Sequence, residues 1–150
     1  MSYFVHPNAL CESSAIGSGT KVWAFTHIYP GVKIGEDCNI CDFVSIETGA
    51  VVGSRVTIKS GVFIWSGITI MDDVFIGPNV SFTNDKYPKS RNKDFVELKT
   101  VIESGVVLGA NSTILPGIII GMNAVVGAGA VVIKDIAAGQ TVIGNPAHKM

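Results

Sequence analysis

Large apolar side chains recur at every sixth position over the first half of the chain. Counted from Phe4, all fourteen positions of the series are large and apolar. They are Phe4, Leu10, Ile16, Val22, Ile28, Ile34, Ile40, Ile46, Val52, Ile58, Ile64, Ile70, Ile76 and Phe82. After one interruption the spacing resumes at Ile102, Leu108, Ile114, Ile120, Val126 and Val132. In a chain that is 47% hydrophobic, a series of this length is very improbable by chance.

A period of six is neither that of an α-helix nor the simple alternation of a β-strand. It predicts short strands joined by tight corners, with one bulky residue of each strand pointing inward. Three such strands close a coil of about 18 residues, and coils stack about 4.8 Å apart through parallel backbone hydrogen bonds. Glycine often follows the apolar position, as at Gly17, Gly35 and Gly53, and glycine suits corners where φ is positive. The pattern therefore predicts an all-β parallel helix over residues 1–150 as a single domain.

Residues 18 apart are expected to lie above one another, which sorts the outward side chains into columns. The predicted columns are Cys11, Tyr29, Glu47, Trp65 and Thr83; Glu12, Pro30, Thr48, Ser66 and Asn84; and His27, Ser45, Phe63 and Ser81. One edge of the predicted prism thus carries Tyr29, Glu47, Trp65, Asn84 and His27. On the third face the corresponding positions are nearly bare, so the faces differ chemically.

The interruption, residues 83–101, is the most polar part of the chain. Its cations are Lys86, Lys89, Arg91, Lys93 and Lys99, and its acids are Asp85, Asp94 and Glu97. A long excursion from a compact repeat usually has a function or is a solvated loop. We expect an arm that binds an anion, such as a nucleotide diphosphate, or that contacts a neighbouring subunit.

Charge and cysteine content remove several function classes. The net charge of -1 gives no electrostatic case for nucleic acid or a membrane surface. No apolar run is long enough to span a bilayer, and the N-terminus lacks the features of a signal peptide. The three cysteines, Cys11, Cys38 and Cys41, are not spaced as a zinc site and are expected to be small apolar fillers. We expect a cytoplasmic protein without a bound metal.

Small residues cluster in the C-terminal coils, at Gly109, Ala110, Gly127, Ala128 and Gly129. Small outward residues let an extended ligand lie against the backbone and bond to its amides. Lys134 follows, and near the C-terminus the segment Gly144-Asn145-Pro146-Ala147 precedes Lys149.

These features resemble a known family. The hexapeptide repeats over the whole length, the ILPG at 114–117, the VGAGAVV at 126–132 and the IGNPA at 143–147 are similar to those of the hexapeptide-repeat acyltransferases. That resemblance implies a left-handed parallel β-helix, with one extended loop here, and acetyl-CoA as cosubstrate. A right-handed β-helix has longer and less regular coils. The segments 22–28, 72–88 and 109–117 further resemble N-acetyltransferases of nucleotide-linked 3-amino sugars, which serve surface polysaccharide (lipopolysaccharide) synthesis.

The resemblance also implies a homotrimer with active sites between subunits, and roles for particular residues. Coenzyme A would contact the backbone at Gly109, Ala110, Gly127 and Ala128, its phosphates would face Lys134 and Lys149, and its adenine would face Pro146. The acceptor sugar would lie near Asn84, with Trp65 or Tyr29 beside the base. Glu47 is a further polar candidate, and Lys86 or Arg91 would face a diphosphate or a sugar carboxylate.

Two catalytic arrangements remain open. Many acyltransferases of this shape use a histidine base, and only His27 lies on the candidate edge, two coils from Trp65 and three from Phe82. Alternatively Asn84 orients the amine, and the proton leaves through water or the departing thiolate. The preferred acceptor is a dTDP-3-amino-3,6-dideoxyhexose. The alternatives are a UDP-linked 3-amino uronic acid, O-acetylation of a small sugar or serine acetylation, a γ-type carbonic anhydrase, which needs three histidines, and an inactive scaffold.

Overall fold

The computed structural model of the chain describes residues 2–150. In this range the regular structure is entirely β, and no helix occurs that could cross a membrane. The strands are, in chain order, β1 (Phe4–Val5), β2 (Leu10–Cys11), β3 (Lys21–Val22), β4 (His27–Ile28), β5 (Lys33–Ile34), β6 (Asn39–Ile40), β7 (Ser45–Ile46), β8 (Val51–Val52), β9 (Thr57–Ile58), β10 (Phe63–Ile64), β11 (Ile68–Ile70), β12 (Phe75–Ile76), β13 (Ser81–Phe82), β14 (Thr100–Ile102), β15 (Val107–Leu108), β16 (Thr113–Ile114), β17 (Ile119–Ile120), β18 (Val125–Val126), β19 (Val131–Val132), β20 (Thr141–Ile143) and β21 (His148–Lys149).

The strands form three sheets that the chain visits in turn. In sheet A the neighbouring strands are, in order, β1-β3-β6-β9-β12-β15-β18-β20-β21. In sheet B they are β2-β4-β7-β10-β13-β16-β19, and in sheet C they are β5-β8-β11-β14-β17. All pairs within them are parallel except β20 with β21. The chain therefore makes about 8 turns of a parallel β-helix, as the repeat predicted, and its left-handed sense is the one that the family resemblance implied.

The predicted inward stack is confirmed from Ile16 onward. Every member of the series from Ile16 to Phe82 and from Ile102 to Val132 is buried. The sequence left the register across the interruption open, and the structure shows that Ile76 pairs with Leu108 and Phe82 with Ile114. Each fully buried isoleucine contributes about 1.5–3 kcal/mol relative to an exposed one, so these stacks are the main source of stability.

The first coil differs from the prediction. Phe4 and Leu10 point outward and are 42% and 54% exposed, whereas Val5 and Cys11 pair with the inward residues Val22 and Ile28. The reason is that only five positions separate Cys11 from Ile16, one fewer than the repeat requires. Glu12, and not Cys11, therefore lies beneath Tyr29, where its N–H donates to the Ile28 carbonyl at 2.9 Å.

The corners obey the same period of six. From Gly19 to Asn79 every sixth residue has a positive φ. Several of these residues are not glycine, namely Phe25, Asp37, Phe43, Arg55, Asp73 and Asn79. The glycines singled out in the sequence serve a different purpose, close approach of the coils. A Cβ on Gly35, for example, would lie 2.6 Å from the Gly53 backbone.

The long loop is slightly shorter than predicted. Strand β14 begins at Thr100, which pairs with Ile68, so residues 100 and 101 belong to the helix and the loop comprises 83–99. Ile70 pairs with Ile102, which gives this coil 32 residues (102 − 70) in place of 18. The loop is thus an insertion into one coil, and the coils on either side stack in register.

The C-terminus closes the last coil. Ile143 pairs with His148 in an antiparallel hairpin whose tip contains the cis Asn145–Pro146 bond. The Val131 N–H donates to the Gly144 carbonyl at 2.9 Å, and the Ala147 N–H donates to the Val131 carbonyl at 2.8 Å. The hairpin therefore covers the open edges of both sheet A and sheet B.

One buried hydroxyl gives a test of this packing. Ser112 is fully buried, and among the described residues its Oγ has no hydrogen-bond partner. Thr26 occupies an equivalent corner, but its Oγ1 donates to the Cys41 carbonyl at 2.7 Å. We expect Ser112→Ala to raise the free energy of unfolding by about 1 kcal/mol, and Thr26→Val to lower it by a similar amount. Urea denaturation measures both, and equal destabilisation by the two substitutions would contradict this packing.

Candidate active site

The chain turns from sheet B to sheet C at one corner of the prism, and the long loop leaves the helix there. We call this corner, with residues 29–31, 47–49, 65–67, 115–117 and 133–135 and the loop 83–99, the loop corner. The predicted column Tyr29, Glu47, Trp65 and Thr83 lies along it, because Tyr29 follows β4, Glu47 follows β7, Trp65 follows β10 and Thr83 follows β13. The sequence thus predicted which side chains share this edge.

A groove of about 500 Å³ lies along the C-terminal half of the loop corner. The foot of the loop forms one wall, and two successive corners form the other. The lining residues are Thr83, Asp85, Lys86, Pro88, Leu115, Pro116, Gly117, Ile118, Ile133, Lys134 and Asp135. Ile133, Lys134 and Asp135 also line a second cavity of about 270 Å³ beneath the C-terminal hairpin. The two spaces therefore adjoin and run from the loop foot to the end of the helix.

The groove changes character along its length. Leu115, Pro116, Ile118 and Ile133 give it apolar walls near the loop foot. The cavity under the hairpin adds the polar side chains of Lys134, Gln140, His148 and Lys149. Such a surface suits a long ligand with an uncharged arm and an anionic end.

Asp85 organises the first part of the loop. One carboxylate oxygen accepts the Tyr87 N–H at 3.0 Å, and the other accepts a bond from the Asn92 side chain at 2.7 Å. A Lys89–Asp94 ion pair at 2.6 Å adds to this arrangement. The loop consequently has a defined shape despite its polarity.

Glu97 fastens the returning end of the loop to the corner. It accepts hydrogen bonds from the Ser66 hydroxyl and the Lys99 ammonium group. These bonds, first from Lys99 and then from Ser66, lower the pKa of the Glu97 carboxyl. Glu47 accepts the Ser66 N–H at 2.8 Å, which joins the same network.

Three cationic side chains of the loop form no ion pair with an acid of the described chain, and two others do. Lys89 and Lys99 are paired with Asp94 and Glu97. Within residues 2–150, Lys86, Arg91 and Lys93 form no ion pair, and all three are exposed or nearly so. Of the five loop cations, these three remain candidates for the predicted anion-binding role. Lys86 also lines the groove.

Asn84 lies at the point where the loop leaves the helix. The preceding Thr83 is tied to β16, since its Oγ1 donates to the Ile114 carbonyl at 3.0 Å. In the part of the chain that the structure describes, the Asn84 side chain makes no internal hydrogen bond, and it is only half-buried. Its amide is thus free to bind a ligand, and its chain neighbours Thr83 and Asp85 line the groove, although Asn84 itself does not.

His27 lies far from Asn84 along the corner. Three strand spacings separate β4 from β13, which is about 14 Å. The imidazole is instead 2.7 Å from the Glu12 carboxylate and stacks on Tyr29 with 3.8 Å between ring centroids. Within one chain, an acceptor amine cannot touch both His27 and Asn84, so the two predicted catalytic residues belong to different parts of its surface.

Trp65 is the large aromatic residue nearest the loop foot on this column. Its indole N–H donates to the Phe82 carbonyl at 2.8 Å, and its ring contacts Phe63 edge-on. The ring is partly buried against the core, so it offers a fixed apolar wall beside the Asn84 end of the corner.

The predicted cofactor residues separate into two groups. Lys134 and Lys149 line the groove and the cavity under the hairpin, and Pro146 is in the hairpin itself. Gly109, Ala110, Gly127 and Ala128 follow sheet A strands and lie at the corner between sheets A and B, which we call the A–B corner. A single chain does not bring these four to the groove.

Sequence reasoning missed Glu12, Glu97 and the wall formed by Leu115, Pro116 and Ile118. The short first coil concealed the position of Glu12. A count of residues between Cys11 and Ile16 is the signal that reveals it. The contact of Glu97 with Ser66 depends on the path of the loop, and no periodicity records that path.

Known proteins share the repeat and the fold of this chain. The pattern of the bacterial transferase hexapeptide family (six repeats) matches residues 13–48 and 99–134. The chain is 50% identical over 145 residues to the dTDP-3-amino-3,6-dideoxy-alpha-D-galactopyranose 3-N-acetyltransferase of Aneurinibacillus thermoaerophilus. That alignment covers 97% of this chain and 76% of the relative.

Two solved structures share the fold. A hexapeptide-repeat acetyltransferase from Vibrio cholerae O1 biovar eltor, complexed with acetyl coenzyme A, is 26% identical with a TM-score of 0.61, over 90% of this chain and 68% of that one. A mutant perosamine N-acetyltransferase from Caulobacter crescentus, complexed with CoA and GDP-perosamine, is 26% identical with a TM-score of 0.52. This last match covers 97% of the present chain and 55% of the other.

The Glu97 anchor gives a prediction for the loop. In Glu97→Ala, the bonds to Ser66 and Lys99 are lost, and we expect trypsin to cleave the loop about fivefold faster. This corresponds to about 1 kcal/mol after allowance for solvent screening. The control is Glu36→Ala, which removes only a surface contact with Ser18 elsewhere. An unchanged cleavage rate in Glu97→Ala would show that Glu97 does not hold the loop.

The same anchor predicts a pH dependence. Because the folded pKa of Glu97 is lowered, its contribution is complete above its ordinary pKa of 4.5 and is lost as the pH falls through the lowered value. The ratio of the pepsin cleavage rates of Glu97→Ala and the wild-type protein, taken at the same pH so that the protease's own pH dependence cancels, is therefore expected to fall towards one only below pH 4.5. A ratio that is already one above that pH would contradict the assignment.

Proposed function

This chain belongs to the bacterial hexapeptide-repeat transferases, and within that family we propose that it transfers the acetyl group of acetyl-CoA to the 3-amino group of a dTDP-linked 3-amino-3,6-dideoxyhexose. The observation that carries the proposal is the groove at the loop corner, which begins at Thr83 and Asp85, the two chain neighbours of Asn84, and leads to Lys134 and Lys149 under the hairpin. The relative that shares 50% identity over 97% of the chain catalyses N-acetylation of such a sugar and supports the choice of acceptor.

The groove supports acetyl-CoA as the donor. Its apolar stretch at Leu115, Pro116 and Ile118 suits an uncharged pantetheine arm, and Lys134 and Lys149 suit phosphates. Pro146, at the exposed tip of the hairpin, is proposed beside the adenine. The bound thioester supplies an activated acyl carbon at the loop foot.

Asn84 is proposed to orient the acceptor amine there. Its unengaged amide accepts a bond from the amine or donates one to the carbonyl oxygen, where negative charge develops. The amine nitrogen forms a bond to the acyl carbon, and the carbon–sulfur bond breaks. The amine proton passes directly or through water to the departing sulfur, which yields an amide and a thiol. Correct positioning alone contributes several kcal/mol to such a reaction.

The loop cations support a nucleotide diphosphate as part of the acceptor. Lys86 and Arg91 have no internal ion pair within residues 2–150 and extend from the same corner as Asn84. Glu47 and Trp65 lie on the column below and are proposed to contact the sugar and the nucleoside.

We propose a homotrimer with sites between subunits, and the separation of the small residues supports it. The four small residues at the A–B corner are Gly109, Ala110, Gly127 and Ala128. They can contact acetyl-CoA in the groove of one subunit only if a second subunit supplies them. Exposed Phe25, Phe43 and Phe63 flank sheet B, and their burial by another subunit would be favourable.

The wider context is proposed as follows. The continuous core through all coils supports one domain over residues 1–150. Both proposed substrates are cytoplasmic metabolites, so we place the reaction in the cytoplasm, as a step in the synthesis of surface polysaccharide such as lipopolysaccharide.

Release of the CoA thiol tests the acceptor directly. The panel contains dTDP-3-amino-3,6-dideoxygalactose, its gluco epimer, a UDP-3-amino uronate and a UDP-4-amino sugar. We expect rapid release with one of the dTDP sugars. Release with only the uronate would replace the acceptor, and release with none would refute the proposed reaction.

Two variants test the two ends of the groove. Asn84→Ala is expected to lower kcat at least tenfold, because the amine loses its orienting group. Lys134→Ala is expected to raise the KM for acetyl-CoA about fivefold with little change in kcat. Lys33→Ala, on the outer face of sheet C, is the matched control. An unchanged kcat in Asn84→Ala would move the site elsewhere.

A further inference from the structure

Glu12, His27 and Tyr29 form a cluster at the N-terminal end of the loop corner, away from the groove. The His27 and Tyr29 rings are stacked, with 3.8 Å between centroids and 21° between planes. The Nε2 atom of His27 lies 2.7 Å from the Glu12 carboxylate. The short first coil makes this contact possible, since it places Glu12 directly beneath Tyr29.

The cluster is both ordered and accessible. The side chains of His27 and Glu12 are 31% and 42% exposed, and Tyr29 is 36% exposed. A ring held by a neighbour on one side and a carboxylate on its edge loses little conformational freedom when a ligand binds. A flat, pre-ordered aromatic surface with a polar rim recognises planar heteroaromatic rings by stacking.

The position of the cluster fits one end of a rod-shaped ligand. The loop corner carries, in order, Tyr29, Glu47, Trp65 and Thr83. Three strand spacings, about 14 Å in total, separate the level of Tyr29 from that of Thr83. An extended nucleoside diphosphate sugar has a comparable length. With its sugar at Asn84, its base reaches the level of Tyr29.

We infer that the Glu12–His27–Tyr29 cluster is the nucleobase site of the acceptor. The pyrimidine ring stacks on the exposed face of the ring pair, and Glu12 positions His27. This inference rests on the proposed function, because it assigns the base of the same nucleotide sugar.

An exposed aromatic residue on another face provides the control. Phe75 lies in β12 of sheet A and is 39% exposed. It lies off both the loop corner and the A–B corner. Its loss removes aromatic surface without touching the proposed site or the proposed subunit contacts.

Calorimetric titration of dTDP and of pyrophosphate tests the inference without any transfer reaction. His27→Ala and Tyr29→Ala are each expected to raise the Kd of dTDP roughly tenfold, and to leave that of pyrophosphate unchanged. Phe75→Ala is expected to change neither. The inference is overturned if dTDP affinity is unchanged in both variants, if pyrophosphate affinity falls equally, or if the wild-type protein does not bind dTDP.

Glu12 requires a separate readout because it acts through His27. Glu12→Ala is expected to raise the KM for the nucleotide sugar several-fold, with kcat and the KM for acetyl-CoA unchanged. Glu12→Gln keeps an acceptor for the imidazole and is expected to restore near-wild-type KM. A fall in kcat at unchanged KM would contradict a positioning role. Absence of transfer in the wild-type protein would refute the proposed reaction, whereas the dTDP titration alone decides the base site.

Discussion

The stacking of each coil on the next is the constraint on which the rest of the structure depends. Parallel backbone hydrogen bonds hold successive coils about 4.8 Å apart. At this spacing some outward positions have no room for a side chain, as the 2.6 Å approach of a Cβ on Gly35 to Gly53 illustrates. The same geometry requires a left-handed backbone conformation at every sixth residue, even where that residue is Phe25, Phe43 or Arg55. Burial of the isoleucine stacks offsets this strain.

The features proposed to carry function lie where the repeat of 18 is broken. A first coil that is one residue short moves Glu12 beneath Tyr29. The coil that contains the loop is longer by 14 residues (32 − 18) and provides Asn84 and the free cations. The last coil is short, since Ile136 is bridged to Ile120 after 16 residues, and the space beneath its hairpin receives Lys134 and Lys149. Regular coils set the distances between these groups, and the irregular coils supply the groups themselves.

Much of this arrangement could be predicted from the spacing of apolar residues. The period of six identified the inward stack from Ile16 onward and the column of Tyr29, Glu47 and Trp65 on one edge. It could not place the first coil, because Val5 and Cys11 are as apolar as Phe4 and Leu10 and either register satisfies the pattern. It could not show that Gly109 and Gly127 lie at a different corner from Lys134. That distinction depends on which strand each corner follows, and on the subunits that meet there.

A crystal structure of the protein with both CoA and dTDP bound is the most direct test of the central claim, that one corner of the prism holds both substrates. We predict that the pantetheine arm lies between the loop foot and residues 115–118, with its thiol end near Asn84. We predict that the thymine ring lies against His27 and Tyr29. A nucleotide bound on the face of sheet C, or a pantetheine arm that does not approach the loop corner of any subunit, would contradict it.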